Sequence, residues 1–273
     1  MGAAVALSGC QHELSNGFLP RGVTAEAATV RNLWVGAWIA LLAVGVLVWG
    51  LIIWAIVAYR KKKDDDELPV QVRYNIPIEI LYTVTPVIMI VVFFFYTARD
   101  ESSLRDLSKA PDLTVNVIGK QWSWDFNYIQ PNTHEAGTQA ILTGQADPEA
   151  TIPTLYLPVN ERVEFVLTSR DVIHSFWVPA FLDKMDMIPG RVNRFQVTPT
   201  QEGTFAGKCA ELCGAYHSQM LFNVKVVSQA EFDQHMQALR DQGNSGQLPN
   251  SLNRGDSQLM PSQENLVPSP ARS

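Results

Sequence analysis

The sequence predicts an N-terminal two-helix transmembrane hairpin followed by an exported, all-β domain of the Greek-key sandwich type. Residues 33–59 and 76–98 form two long apolar blocks. From residue 113 onward the pattern changes to short alternating segments, which prolines and glycines separate. Several short strands without helices between them are typical of a β-sandwich. A chain of 273 residues is long enough for one such domain and a hairpin.

The charge and hydropathy of the chain limit its partners. The formal net charge of -6 at pH 7 argues against binding to nucleic acid. The mean hydropathy of +0.00 is high for a soluble protein, and the excess is concentrated in the two apolar blocks. We therefore expect the chain to contact a membrane and no nucleic acid.

The N-terminus contains a Leu-Ser-Gly-Cys sequence at residues 7–10, which has the form of a bacterial lipoprotein cleavage site. On this interpretation residues 1–9 are the remnant of a signal peptide and Cys10 carries a lipid. The stretch lacks the basic start and the long apolar segment of a signal peptide, so an incidental cysteine is the alternative. Residues 10–31 are polar, contain glycine and proline, and are predicted to form an external linker.

The hairpin is predicted over residues 32–98, with spans at about 33–59 and 77–98 and a cytoplasmic loop at 60–76. The first block is uncharged and would be roughly 40 Å long as a helix, which exceeds the roughly 30 Å hydrocarbon core. A basic cluster at residues 60–63 places the loop in the cytoplasm. Both ends of the hairpin, and everything after it, are then on the extracellular or periplasmic side of the plasma membrane.

The second block contains one acid, Glu79, near its cytoplasmic start. One interpretation is a carboxylate at the membrane interface, where burial costs little. The other is a residue of a proton path, because ionisable groups within membrane spans are usually functional. The residues alone leave both interpretations open.

The exported part begins with a predicted linker at 99–112, and the β domain follows at 113–228. Residues 131–153 are polar and irregular, which predicts a surface insertion. A capping-box pattern at 228–231 predicts a short helix over 229–242. The final residues, 243–273, are rich in Ser, Asn, Gln, Pro and Gly and are predicted to be a disordered tail.

A single short loop concentrates metal-binding side chains: Cys209, Cys213, His217 and Met220. Thiolates mixed with imidazole and thioether favour copper, and a zinc site rarely includes methionine. Two thiolates at this spacing can bridge two copper ions, which then need a second imidazole. The candidate is His174, because it alone among the five histidines lies at the end of a strand in the β domain.

Three other interpretations of this loop remain open from the residues alone. A disulfide between Cys209 and Cys213 is feasible in an exported domain, although it leaves His217 and Met220 without a role. A zinc site and a site for a single copper ion are the other two.

The loop pattern Cys-x-Glu-x-Cys-x-x-x-His-x-x-Met at 209–220 resembles the CuA motif of the cytochrome c oxidase subunit II family. Segments at 75–80, 119–124, 171–175 and 189–191 are similar to the same family, so the resemblance covers about residues 32–228. It implies that the β domain is a cupredoxin-like domain. It also implies a CuA centre of two copper ions, with these ligands: His174, Cys209, Glu211 through its backbone carbonyl, Cys213, His217 and Met220.

The resemblance implies roles for further residues. Trp122 resembles the aromatic residue at which the electron enters from cytochrome c, whereas a core tryptophan is the alternative. The Glu211 side chain would help to hold magnesium at the contact with subunit I, with Asp186 near that region. Glu79 resembles the carboxylate at the mouth of a proton pathway.

The implied function is that of subunit II of cytochrome c oxidase, a proton-translocating oxidoreductase. Its CuA centre would accept electrons from cytochrome c, or from a cytochrome c domain of a bc complex, and pass them to haem in subunit I. Oxygen is then reduced to water and protons are pumped by the complex, which also contains subunit III. The alternatives are a CuA-containing subunit of a nitric oxide reductase and a membrane-anchored copper-binding protein.

Overall fold

The computed structural model describes residues 11–61, 70–138 and 152–251. By its internal contacts the chain divides into two units. One unit contains most of the helical part, and the other combines residues 19–30 with everything from Ser103 onward. The predicted signal-peptide remnant, the lipidation site at Cys10 and the last 22 residues of the predicted tail, 252–273, lie outside the described residues.

The helical part contains a short helix α1 (Gln11–Ser15) and two long helices, α2 (Ala27–Ala58) and α3 (Ile76–Leu104). Both long helices are long and apolar enough to cross a membrane. Most of their side chains are exposed in the isolated chain, as expected for helices whose surroundings are lipid or other subunits. Since α3 continues to Leu104, the prediction of a linker from residue 99 was wrong at its start.

The β domain is a sandwich of two five-stranded sheets, which confirms the predicted fold class. The first sheet has the order β3-β2-β1-β5-β8 and the second β4-β10-β9-β6-β7. Most neighbours are antiparallel, but β1 pairs with β5 and β4 with β10 in parallel. The strands are β1 (Leu113–Lys120), β2 (Ser123–Tyr128), β3 (Thr133–Ala136), β4 (Thr154–Pro158), β5 (Val163–Ser169), β6 (His174–Val178), β7 (Asp183–Met187), β8 (Asn193–Val197), β9 (Gly203–Cys209) and β10 (Leu221–Val227).

The core between the sheets is rich in aromatic side chains. Trp124, Phe176 and Phe222 are almost completely buried. The Phe176 and Phe222 rings stack with centroids 4.9 Å apart, and the Trp124 ring meets Phe222 edge-on at 5.0 Å. Large buried rings of this kind supply much of the hydrophobic stabilisation of a domain. The Trp124 indole also donates to the Met220 carbonyl at 3.3 Å, at the base of the loop between β9 and β10.

The segment before α2 is not simply the external linker that its composition predicts. Val23 is only 2% exposed and packs in the core of the β domain. Its backbone amide donates to the Ala180 carbonyl at 3.0 Å, and its carbonyl accepts from the Thr200 amide at 2.8 Å. One apolar residue in a polar stretch gives no periodicity, which is why the sequence pattern did not show this attachment.

The predicted insertion at 131–153 contains a strand, β3, which pairs with β2 at the sheet edge. Residues 139–151 lie outside the described part of the chain. After β10 a helix α4 (Gln229–Asp241) begins, and its N-cap Ser228 accepts from the Glu231 amide at 3.3 Å.

The first part of the predicted tail is ordered against the first sheet. We call residues 244–251 the C-terminal strap. The Leu248 amide and carbonyl bond both ends of the buried Asn127 side-chain amide, at 2.8 and 2.9 Å. The Thr168 hydroxyl donates to Asn250 at 3.0 Å. The prediction of disorder was therefore wrong for this part, because polar side chains on the sheet use the strap as their hydrogen-bond partner.

Candidate metal centre

The candidate ligands lie on one loop that two neighbouring strands hold. Strand β9 ends at Cys209 and β10 begins at Leu221. The Cys209 amide donates to the Met220 carbonyl at 3.0 Å, which closes the base of the loop. A single 3-10 turn over His217–Gln219 then turns the chain back toward β10.

Three sulfur atoms lie together inside this loop. The Sγ atoms of Cys209 and Cys213 are 3.9 Å apart, and both cysteines are free and buried. The Sδ atom of Met220, which is fully buried, lies 3.8 Å from Cys213 Sγ. The backbone carbonyl of Glu211 lies 3.2 Å from Cys209 Sγ. The Met220 sulfur and the Glu211 carbonyl therefore each contact one of the two thiols.

Two imidazoles complete the cluster, one on each side of the thiol pair. His174 comes from β6, which pairs with β9 so that Phe176 lies opposite Cys209. Its Nδ1 lies 3.8 Å from Cys209 Sγ, and Nδ1 of His217 lies 3.6 Å from Cys213 Sγ. His174, Cys209 and Cys213 place their ligand atoms within 4.8 Å of one another, a spacing that could hold a metal ion.

Asp171 fixes the orientation of His174, a role that the sequence analysis missed. Its Oδ1 lies 2.8 Å from His174 Nε2, and its Oδ2 accepts from the Gln121 amide at 2.7 Å. A ligating histidine usually donates its other ring nitrogen to such a group. The spacing Asp-x-x-His before a strand was the signal that could have identified it. Because the ring bonds Asp171 through Nε2, its Nδ1 faces the sulfur cluster.

The two thiols differ in acidity. Burial raises the pKa of Cys209, but hydrogen bonds from His174 and from backbone groups outweigh it and lower the pKa from 9.0 to about 7. Burial and the neighbouring Cys209 raise the pKa of Cys213 to about 12. One thiolate therefore forms readily near neutral pH, whereas the second requires a bound cation to stabilise its charge.

Trp122 lies at the outer edge of the cluster and not in the centre of the core. Its side chain is half-buried, and its indole Nε1 donates to the Cys213 carbonyl at 3.2 Å. The Gln121 side chain donates to the same carbonyl at 2.8 Å. The exposed Tyr216 ring meets the indole edge-on, with centroids 4.9 Å apart. One hydrogen bond therefore connects Trp122 to the backbone of a candidate ligand.

Other predicted site residues lie apart from the cluster. The Glu211 side chain is exposed, while Asp186 on β7 bonds Lys184 at 3.0 Å. Glu79 lies in the first turn of α3, where its carboxylate accepts from the Asn75 amide at 2.9 Å. This contact gives Glu79 a structural role at the start of the helix.

The chemistry of the donors fits copper. Two thiols, a thioether, two imidazoles and a carbonyl make a soft set that copper prefers, and a methionine is unusual for zinc. The two thiols form no disulfide, and each lies next to a different imidazole. This arrangement is expected where two metal ions share both thiolates. A two-helix membrane anchor that carries such a centre on a β-sandwich defines the class of membrane-bound, copper-binding electron-transfer subunits.

Comparison with known proteins identifies the family within this class. The family description for the periplasmic domain of cytochrome c oxidase subunit II matches residues 113–227, and that for its transmembrane domain matches residues 13–98. A probable cytochrome c oxidase subunit 2 of Streptomyces avermitilis is 52% identical over 259 residues, which cover 85% of this chain and 81% of that protein. The cytochrome c oxidase subunit 2 of Mycobacterium tuberculosis is 36% identical over 303 residues, covering 92% and 83%.

A solved structure, the periplasmic domain of the cytochrome oxidase subunit II CoxB of Bradyrhizobium japonicum, is 32% identical. It covers 50% of this chain and 98% of that chain, with a TM-score of 0.45. By the two matching family regions and the identity to the relatives, the chain belongs to the cytochrome c oxidase subunit II family. It is a subunit of the oxidase complex, which confirms the resemblance found in the sequence.

Proposed function

We propose that the loop between β9 and β10, together with His174, holds the two copper ions of a CuA centre. The observation that carries this proposal is the pairing of each thiol with its own imidazole around a thiol separation of 3.9 Å. The proposed ligands are His174, Cys209, Glu211 through its carbonyl, Cys213, His217 and Met220.

When bound, two coppers that share two thiolates supply a one-electron couple whose charge is spread over both metals. The protein residues provide a rigid frame for it. Asp171 holds the His174 ring, and strand pairing fixes Cys209. The buried Met220 closes the inner side and excludes water. Such a frame favours rapid transfer because little has to move when the charge of the centre changes.

Trp122 is the proposed point at which the electron enters. Its indole is accessible from solvent on one side and bonds the Cys213 carbonyl on the other. The donor would be cytochrome c or a cytochrome c domain of a bc complex, docking over Trp122 and Tyr216. The electron would then pass to haem in subunit I, where oxygen is reduced to water and protons are pumped.

Contacts with the rest of the complex form the second part of the proposal. Subunits I and III would surround α2 and α3, whose apolar side chains are exposed in the isolated chain. The exposed Glu211 carboxylate, with Asp186 in its region, would hold magnesium against subunit I. Glu79 would lie at the mouth of a proton pathway in addition to its contact with Asn75.

The orientation in the membrane follows from charge. By the basic cluster at 60–63, the loop between α2 and α3 would lie in the cytoplasm. The N-terminus and the CuA domain would then lie on the extracellular or periplasmic side of the plasma membrane. A lipid on Cys10 would add a further anchor at that side.

The copper proposal is tested by loading the purified full chain with copper and recording absorption and electron paramagnetic resonance spectra. A purple species with seven hyperfine lines, from one electron shared equally by two copper nuclei, is expected. Cys213→Ser should abolish this spectrum, and Met220→Leu should keep it but change the reduction potential. Four lines from a single copper in the unmodified chain, or a seven-line spectrum that survives Cys213→Ser, would contradict the ligand assignment.

A further inference from the structure

A polar cavity of about 310 Å³ lies in the unit that contains the β domain. Its lining comes from the residues around the start of α2, from the end of α3 and the segment that follows it, from Arg162 just before β5, and from Gln196 on β8. The residues that carry the following argument are Glu26, Thr29, Leu104, Lys109, Arg162 and Gln196. None of them is a proposed copper ligand.

The cavity lies close to the membrane surface by its position in the chain. Thr29 precedes the predicted first span at residue 33 by one helical turn, and Leu104 follows the predicted second span at residue 98 by fewer than two turns. At about 1.5 Å per residue these offsets are roughly 6 and 9 Å. The head-group region of a bilayer is roughly 5–7 Å thick on each side. By these offsets Thr29 falls within the head-group layer and Leu104 just beyond it, so lipid head groups are within reach of the cavity.

Two cations face the cavity without a close ionic partner. Lys109 and Arg162 form no ion pair within 4 Å among the described residues, 11–61, 70–138 and 152–251. Both act on Asp106, which also lines the cavity: hydrogen bonds from Ser108 lower the pKa of Asp106 first, and the two cations lower it further. Lys109 and Arg162 together can bind a further anion that has several oxygens, such as a phosphate diester.

Gln196 and Glu26, in contrast to the two cations, contribute hydrogen-bond acceptors to this region. Gln196 is 4% exposed, and its Nε2 donates to the Lys109 carbonyl at 3.1 Å and to Glu164 at 3.0 Å. Both partners are acceptors, so the orientation of the amide is fixed. Its Oε1 is buried and has no hydrogen-bond partner in the described chain. Such an acceptor destabilises the fold unless a donor satisfies it.

Glu26 adds negative charge on the same side. One carboxylate oxygen, Oε2, accepts from the Thr198 amide at 2.9 Å, which holds the side chain against the sheet. The other oxygen is left for a ligand. The cavity thus combines two cations with an acidic group, Glu26, and this combination matches a zwitterion whose ammonium carries N–H donors.

We propose that this cavity binds the head group of an aminophospholipid of the phosphoethanolamine type. Lys109 and Arg162 take the phosphate, and the primary ammonium lies toward the Glu26 carboxylate. A choline head group has the same charges but no N–H to donate, and a glycerol head group lacks the cation. The site is independent of copper, so its test is separate from that of the proposed centre.

The experiment places the full chain, without added copper, in bilayers that contain equal amounts of phosphatidylethanolamine, phosphatidylcholine and phosphatidylglycerol. The chain is then extracted in mild detergent, and the retained lipids are quantified by native mass spectrometry. Phosphatidylethanolamine should be retained in preference to the other two. The double variant Lys109→Gln, Arg162→Gln should retain at least about tenfold less phosphatidylethanolamine than the unmodified chain.

Lys208→Gln is the matched control, because Lys208 lies over the Trp177 ring and outside the cavity. An unchanged far-ultraviolet circular dichroism spectrum and thermal unfolding midpoint show that each variant is folded. Equal retention of choline and ethanolamine lipids by the unmodified chain would overturn the proposal without any variant. Complete displacement of the lipid by inorganic phosphate at equal concentration would also overturn it, since the site would then recognise phosphate alone. Unaltered retention in the double variant would place the lipid elsewhere.

Discussion

Asp171→Asn provides a specific test of how the protein supports the copper centre. Burial opposes ionisation of Asp171, but hydrogen bonds from His174 and from the Gln121 and Val172 amides outweigh it, so its pKa lies below the usual value. The side chain is therefore a carboxylate at neutral pH. It accepts three hydrogen bonds, two of them at Oδ1 and one at Oδ2.

An asparagine at this position can satisfy only part of this arrangement. Its amide nitrogen must point either at the Gln121 amide or at His174 Nε2–H, and both are donors. If His174 keeps its bond, a charge-assisted bond of about 1.5–3 kcal/mol becomes a neutral one of about 0.5–1.5 kcal/mol. The difference of about 1.4 kcal/mol corresponds to about a tenfold loss of copper affinity. Loss of a supporting carboxylate typically costs about 10–100-fold.

The assay is competition for copper between the full chain and a chelator of known affinity. The absorption spectrum should keep its shape, because all proposed ligands remain. The reduction potential should rise, since the oxidised centre loses a nearby negative charge. Asp233→Asn is the control, because this exposed carboxylate bonds only Gln229 on α4 among the described contacts. If Asp171→Asn has the same copper affinity and reduction potential as the unmodified chain, the proposed role of Asp171 is refuted.

Three further changes test other parts of the structure. Trp122→Phe removes the hydrogen bond to the Cys213 carbonyl, so electron uptake from cytochrome c should slow at least about tenfold while copper content, measured by metal analysis, stays constant. Truncation after residue 243 removes the C-terminal strap and leaves Asn127 without two hydrogen bonds, which should lower the free energy of unfolding by about 2 kcal/mol in denaturant titrations. Gly207→Ala places a methyl group against the Phe222 ring, which should destabilise the domain by about 1–3 kcal/mol in the same titrations.

Each of these changes has its own control. Trp177→Phe alters a tryptophan that lies over Lys208, so unchanged electron uptake in both tryptophan variants would remove Trp122 from the path. Truncation after residue 251 keeps the strap, and equal stability of the two truncations would show that the strap contributes nothing. Gly36→Ala adds a methyl group where nothing lies within 4 Å. A Gly207 variant as stable as this control would contradict the close packing against Phe222.

The sequence was most informative where composition itself determines the structure. Long uncharged blocks have few alternatives to a membrane helix. The metal loop was equally clear, because Cys209, Cys213, His217 and Met220 are rare residue types brought together at short spacing. His174 could be added because the sequence pattern predicted only this histidine at the end of a strand in the β domain, although the structure also has His134 on β3.

The sequence was least informative where polar residues act as structure. The strap reads as disorder from its composition, yet it satisfies Asn127 on a buried part of the sheet surface. Strand β3 was missed because three of its four residues, Thr133–Ala136, are polar and a proline lies two residues before it. Asp171 was missed for a related reason: its importance depends on a partner, His174, and not on its own residue type. Such pairings become visible only when the chain is folded.

The C-terminal strap has a consequence for the order in which the exported domain is made. Its residues bond β2 and β5, which leave the ribosome about a hundred residues earlier. The metal loop is also synthesised late, whereas His174 and Asp171 are made before it. Until the strap has been made, the Asn127 and Thr168 side chains lack these partners and face water. A chain that ends before residue 244 should therefore be cleaved by proteases more readily than the full-length chain, because it opens more often.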